Sequence, residues 1–454
     1  MSLPLSSPRR RRIAARLPFY YGWVVIAVAF ITMGIGVNAR TAFSLIFPPI
    51  LDEFGWQRGE TAATFSVGFV TATLYAPFLG MIFDRFGIRL MLPLGALLVS
   101  TGFALATLVS EIWQLYLTLG VMVVGGSISL TYIGHSMFLP NWFQRRRGLA
   151  VGIAFSGVGA GSIVLFPLLQ DVIAAAGWRQ ACWALAMLLV LVVLPLNLLL
   201  QRRRPEDLGL LPDGNEASDA SRPRTAAPDT IVDPVWAATE WTLPLALRRA
   251  RFWWLFAGFG AGLFTWYAIQ VHQTRYLIEI GVSAERAALA LGLVGLCGVG
   301  GLVGLGHLSD RIGREWIWTL SALGFVLSCL LLLALQYRPS LGLVYAMVAA
   351  QGLGYGLSPV YASIPAELFQ GRRLATIYGV LSLAASLGAA GGPWVSGVIY
   401  DRAGSYAPAF WLAAAVSLFS ILCAWRAAPR KVRLVAGQAA KRQARASACG
   451  GSDD

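Results

Sequence analysis

Apolar residues in this chain gather into long runs separated by short polar breaks. A helix needs about 20 apolar residues to cross the hydrocarbon core of a bilayer. Twelve runs approach that length, near residues 20–46, 61–83, 90–109, 113–139, 149–170, 180–200, 252–276, 285–308, 316–336, 341–364, 374–399 and 407–426. Many contain Gly and Pro, which membrane helices tolerate better than soluble ones do. The pattern predicts an all-α membrane protein of 12 transmembrane helices.

The polar breaks carry a repeat. Gly80-Met-Ile-Phe-Asp84-Arg85-Phe-Gly87-Ile-Arg89 is echoed by Gly306-His-Leu-Ser-Asp310-Arg311-Ile-Gly313-Arg314, and the two aspartates lie 226 residues apart. That spacing is too large for a solenoid and predicts two homologous six-helix halves. The glycines let two helices approach closely at a turn. The Asp and Arg side chains can exchange charge-assisted bonds with neighbouring helix ends as the halves move. The set Gly80, Asp84, Arg85, Gly87, Arg89, Gly306, Asp310, Arg311, Gly313 and Arg314 is therefore the candidate gating motif.

Composition agrees. Of 454 residues, 57% are hydrophobic and 13% charged, where soluble domains carry about 25% charged residues. The net charge of +14 does not point to nucleic acid, because the basic residues sit in short clusters between apolar runs. With the N-terminus placed in the cytoplasm, 29 of the 36 basic residues fall in inner segments, a strong positive-inside bias. Both termini are thus expected in the cytoplasm and the protein in the inner (plasma) membrane. The expected organisation is a basic N-terminus at 1–18, a first half at 19–201, a partly disordered cytoplasmic linker at 202–250, a second half at 251–426 and a solvated basic tail at 427–454. Cys182, Cys297, Cys329 and Cys423 lie in apolar runs and Cys449 in the tail, without a disulfide or metal pattern. A Walker-type phosphate loop, a His/Glu metal pair and a Ser-His-Asp constellation are all lacking, so neither an ATP-driven pump nor an enzyme is expected, nor any cofactor or metal.

The motif, its echo and the six-plus-six spans resemble the major facilitator superfamily. Further stretches resemble the monocarboxylate transporters and the oxalate/formate antiporters within it. Tyr21-Gly22-Trp23 opens the first run. Trp142-Phe-Gln-Arg-Arg-Arg-Gly-Leu-Ala150-Val-Gly152-Ile-Ala154 enters the fifth. Phe54-Gly-Trp56, Gly177-Trp178-Arg179, Gly352-Leu-Gly-Tyr-Gly356 and Gly391-Gly-Pro393 fit as well. The resemblance spans residues 20 to 426. It implies the major facilitator fold, alternating access and a small-molecule substrate. Monocarboxylate transporters carry an important lysine in the first span, which an ungapped match places at Thr41, beside Arg40. The chain departs from the group in the eighth and eleventh runs, where Ala287–Gly306 and Thr376–Tyr400 hold no basic residue and the eighth holds no acid.

Polar and ionisable residues inside spans are functional candidates, since burying them is costly. Candidate substrate-binding residues are Asn38, Arg40, Tyr132, His272, Gln273, Arg275, Tyr355 and Tyr361, with Gln351 nearby. An arginine can hold a carboxylate through two bonds, so Arg40 and Arg275 are the candidate anion-binding cations. His272 and His135 are the candidate proton-coupling groups, because histidine titrates near physiological pH. Tyrosines offer both apolar surface and a hydroxyl. The expected function is a secondary transporter of a small organic acid, most simply a carboxylate, by proton symport or anion exchange. It is expected to work as a monomeric unit in contact with membrane lipids. A proton-coupled exporter of drugs or amphipathic solutes and a non-transporting sensor of transporter fold are the alternatives. The exporter reading lacks the mid-membrane acid in the first or fourth run that such proteins often use.

Overall fold

In lipid every backbone N–H and C=O must find its partner within the segment, so an apolar run of this length folds as a helix. A computed structural model describes residues 19–136, 138–143, 147–211, 231–369, 373–435, 437–440 and 442, and twelve long helices occupy the twelve apolar runs. They are α1 (Gly22–Phe54), α2 (Arg58–Phe86), α3 (Ile88–Ala106), α4 (Ile112–Ser136), α5 (Arg147–Ala176) and α6 (Trp178–Leu200). The second set is α7 (Ala250–Glu279), α8 (Ala284–Ile312), α9 (Arg314–Tyr337), α10 (Leu341–Leu368), α11 (Leu374–Ala403) and α12 (Ala407–Ala427). Among the described residues, ten are long and apolar enough to span a membrane. The other two, α2 and α11, are 29 and 30 residues long. Large apolar side chains such as Leu74, Leu191 and Trp411 are exposed, as lipid-facing residues are.

The chain forms two compact units, one of residues 1–55 and 67–223, the other of residues 56–66 and 224–454. In the first unit α1 packs along α5, and in the second α7 packs along α11. Both contacts run backbone to backbone through glycine. A Cβ at Gly161 would sit 2.5 Å from the Gly34 carbonyl oxygen, and one at Gly157 would overlap the Phe30 carbonyl. In the second unit a Cβ at Gly388 would overlap the Gly260 carbonyl, and one at Gly392 the Phe264 carbonyl. Gly157-x-x-x-Gly161 and Gly388-x-x-x-Gly392 are thus a second internal repeat. They are small-x-x-x-small contacts of the kind that let membrane helices meet closely, where packing replaces the hydrophobic effect.

Hydroxyl and amide groups tie the remaining helices. Ser417 Oγ donates to the Ala322 carbonyl (2.9 Å), Thr265 Oγ1 to Ala413 (3.0 Å) and Tyr276 OH to Leu332 (2.7 Å). In the first unit Asn197 Nδ2 donates to Thr32 Oγ1 (2.8 Å) and Ser100 Oγ to the Ala186 carbonyl (3.1 Å). Such bonds average about 0.6 kcal/mol each in membrane proteins.

Several helices are irregular. In α4 the turns widen to π geometry over Tyr116–Gly125 and tighten to 3-10 geometry over Gly126–Leu130. The helix breaks at Thr131 (φ −95°, ψ −170°) before Tyr132–Ser136 resumes. Further π turns occur at Leu189–Val193 and at Gly301–Leu305, directly before the second motif copy. π turns concentrate at functional positions.

Parts of the linker and tail pack against the second unit. From Ile231 onward the linker is ordered, with short helices at Pro234–Ala238 and Leu243–Leu247. Trp236 donates its indole N–H to the Leu368 carbonyl at the end of α10 (2.7 Å), and Trp241 packs edge-on against Phe369. These aromatics, not an apolar period, anchor the segment. The tail is not wholly solvated either, since Val432, Val435 and Ala439 are buried. The N-terminal segment 1–18, residues 212–230 of the linker and the tail beyond 442 lie outside the described residues.

Candidate functional site

In the first unit, Arg40 sits in the last turn of the straight part of α1, half-buried, with its guanidinium carbon 5.5 Å from the Phe69 ring centroid. Asn38 lies half a turn away but has other work. Its amide donates to the Gly34 carbonyl (2.6 Å) and, across to α5, the Val158 carbonyl (2.8 Å). Both N–H groups are thereby used in ties within α1 and to α5. Tyr132 stands edge-on to Phe155 at 4.8 Å, beside the small cluster of Met33, Val37 and Val158. His135 is fully buried, and its Nδ1 lies 3.0 Å from the Thr131 carbonyl at the helix break.

In the second unit, His272 is also fully buried. Its Nε2 lies 2.8 Å from the Pro393 carbonyl on α11, and its Nδ1 3.0 Å from the Tyr406 hydroxyl. A carbonyl only accepts, so Nε2 carries a proton and Nδ1 accepts from the phenol. Gln273 pairs with Gln351, whose Nε2 donates to Gln273 Oε1 (2.7 Å), and both are buried. Tyr355 packs on Trp266, with ring centroids 4.2 Å apart. Tyr361 is closed into the unit's own core: it stacks on Phe259 at 4.2 Å and meets Trp318 at 4.8 Å.

Arg275 forms an i,i+4 ion pair with Glu279 (3.0 Å). Glu279 also takes both terminal nitrogens of Arg58 at the start of α2. The Arg58 guanidinium lies 3.5 Å over the Tyr400 ring, while Asp401 accepts the backbone N–H groups of Arg58 (2.9 Å) and Gly59 (2.7 Å). A carboxylate on the first free amides of a helix is favoured by both hydrogen bonding and the helix dipole. This cluster of Arg58, Glu279, Tyr400, Asp401 and Tyr406 was not picked out from the sequence. A signal existed: Glu279 stands one helical turn beyond Arg275, and Arg58 and Asp401 each sit at a span's end. Arg58→Lys keeps the charge but loses the paired bonds and the planar face. Each loss is worth about 1 kcal/mol, so apparent Tm should fall by roughly 4 °C in a thermal unfolding assay, against no change for the exposed Arg286→Lys.

The two motif copies share a backbone feature. Gly87 (φ +73°) and Gly313 (φ +115°) occupy the same place between successive helices, in a region that side chains other than glycine's avoid. The second copy is a closed ion network. Arg314 binds Asp310 (2.7 Å), Glu367 (2.8 Å) and Ser309 Oγ (2.8 Å). In the first copy, Arg89 donates to the Leu198 carbonyl (2.7 Å) and Arg85 lies near the Phe86 ring. The surroundings of Gly80 and the side chain of Asp84 lie outside what is described. Among the described residues, no group of His, Cys, Asp and Glu is arranged to hold a metal.

The sequence profile of the Major Facilitator Superfamily matches residues 22–335 and 277–450. Monocarboxylate transporter 12 of Rattus norvegicus is 28% identical over 419 residues, covering 88% of this chain and 84% of its own. Monocarboxylate transporter 11 of Homo sapiens is 28% identical over 411 residues, covering 88% and 81%. Among solved structures, a bacterial homolog of the human lysosomal transporter Spinster, inward-facing and unoccupied, superposes with a TM-score of 0.63 at 18% identity over 92% of this chain and 97% of that one. A variant of the nucleoside transporter NupG gives 0.65 at 12% identity over 90% and 100%. At those identities the likeness establishes the fold. With the duplicated motif, the twelve helices and the profile match over most of its length, this chain belongs to the Major Facilitator Superfamily and is a multi-pass membrane transporter.

Proposed function

We propose that the protein moves a small organic acid, a monocarboxylate in the first instance, across the inner (plasma) membrane by alternating access, with both termini in the cytoplasm. Proton symport and anion exchange both fit this reading. The observation that carries it is Arg40, a half-buried cation within α1 of a chain whose relatives are monocarboxylate transporters. Burying a charge inside a span is costly, which makes such a residue a functional one by default. Of the two candidate cations, Arg40 lies within α1 and is the group assigned to the carboxylate, while Arg275 pairs with Glu279. His272 is assigned to the proton, through the hydrogen bond it shares with Tyr406.

The purified protein in proteoliposomes should take up labelled monocarboxylates when a pH gradient or an internal carboxylate is imposed. Charge-assisted hydrogen bonds to a carboxylate are worth about 1.5–3 kcal/mol, so Arg40→Gln should weaken binding roughly 10- to 100-fold in a ligand-dependent thermal-shift titration. Absence of flux across a broad panel of carboxylates sinks the reading. Unchanged affinity in Arg40→Gln removes Arg40 from it.

A further inference from the structure

We infer that the tail residues 429–435 and 437–439 form a strap that locks the second copy of the motif. The strap begins where α12 ends. Ala428 adopts φ +47°, ψ +57°, and among the described residues it alone takes positive φ without being glycine. A conformation of that kind persists only where the surroundings hold it, and Ala428 is 5% exposed.

From there the strap is bonded at three places. The Arg430 N–H donates to Glu315 Oε1 (3.0 Å), a buried carboxylate in the first turn of α9. The Val432 carbonyl accepts from the amides of Val232 (2.9 Å) and Asp233 (3.3 Å), and Ile231 bridges Arg433 in antiparallel fashion. Gln438 Nε2 donates to the Ile312 carbonyl (2.6 Å), the last residue before the motif's turn glycine. Between these bonds Val432, Val435 and Ala439 bury their side chains.

The fit at the motif is close enough to require a particular residue. A Cβ at Gly437 would stand 2.7 Å from Arg311 Cα, and one at Gly313 would stand 2.7 Å from Gln438 Nε2. The first copy has no such cover among the described residues, since a Cβ at Gly87 would meet nothing within 4 Å. The two loops therefore share a backbone shape, and the second is fixed in it by the strap. A loop whose carbonyl, glycine and neighbouring carboxylate are all engaged opens less often than one that lacks those contacts. The second copy is held in its present shape until the strap lifts.

Hydrogen exchange on the full-length protein in nanodiscs tests this. In Gly437→Val, amides of residues 311–317 and 231–233 should exchange about tenfold faster or more, with residues 85–91 and 258–268 unchanged. Gln438→Ala, which removes one bond and adds no bulk, should accelerate the same 311–317 amides by about threefold. Unchanged exchange at 311–317 in Gly437→Val overturns the proposal. Faster exchange throughout 258–268 also overturns it, because the tail would then be ordinary covering of the second unit.

Discussion

Gly388→Leu should yield no monodisperse protein. At this position α11 meets α7 through main-chain atoms, and even a methyl group would overlap the Gly260 carbonyl oxygen. A carbon and a carbonyl oxygen rest about 3.3–3.6 Å apart, so the helices must separate by about 1 Å or more along a contact that runs most of their length. Overpacking that forces side chains to shift costs about 1–3 kcal/mol. Here no flexible side chain can give way, and the cost is expected to exceed that range. Gly157→Leu should behave alike in the first unit, where the Phe30 carbonyl stands in the way. Two controls separate sterics from the loss of glycine itself. Gly391→Ala meets only Phe264 ring atoms at 3.6 Å or more, and Gly152→Ala meets nothing within 4 Å, so both should run as wild type in size-exclusion chromatography. Loss of folded protein in those two as well would mean that contact geometry is not the cause.

Arg314→Ala should give the second large effect. The guanidinium holds Asp310, Glu367 and Ser309 at once, and the Arg314 and Glu367 side chains are 13% and 20% exposed. Removing the cation strands the Glu367 carboxylate in a largely desolvated place. Breaking a fully buried pair costs about 3–5 kcal/mol, and the residual exposure lowers the expectation to about 2–3 kcal/mol. Apparent Tm should then fall by about 5–10 °C. Adding Glu367→Gln removes the stranded charge and should recover more than half of the loss. Arg314→Lys should recover less, because an ammonium cannot reproduce the forked geometry that reaches three acceptors. A double variant no more stable than Arg314→Ala would show that the Glu367 pair does not carry the effect.

The helices were legible because their cause is local. A run such as Leu185–Leu200 can satisfy its backbone in lipid only as a helix, whatever lies beside it. The motif glycines at 87 and 313 read as places of close helix approach, whereas both take positive φ and, among the described residues, nothing lies within 4 Å of a Cβ at Gly87. Partners were not legible, because the choice of partner is made by packing. Asn38 and Arg40 read alike as polar groups in one span, yet the amide found the Val158 carbonyl one helix away. The stack of Tyr361 on Phe259 likewise has no trace in the sequence around it. Nothing in Arg58 itself points to Glu279, 221 residues on. The tail misled through composition, since alternating Ala and Arg look solvated, while the residues that matter are Val432, Val435 and the bare backbone at Gly437.

The Arg58–Asp401 contact also has a bearing on how the protein is made. The two residues are 343 positions apart, and at about 5–20 residues per second synthesis needs roughly 20–70 s to pass from one to the other. Glu279, the other partner of Arg58, emerges earlier, and the aromatic rings at 400 and 406 arrive together with Asp401. For most of its translation the chain therefore holds the start of α2 without its carboxylate cap. That helix end is among the last parts of the protein to be completed, although it is among the first to be synthesised.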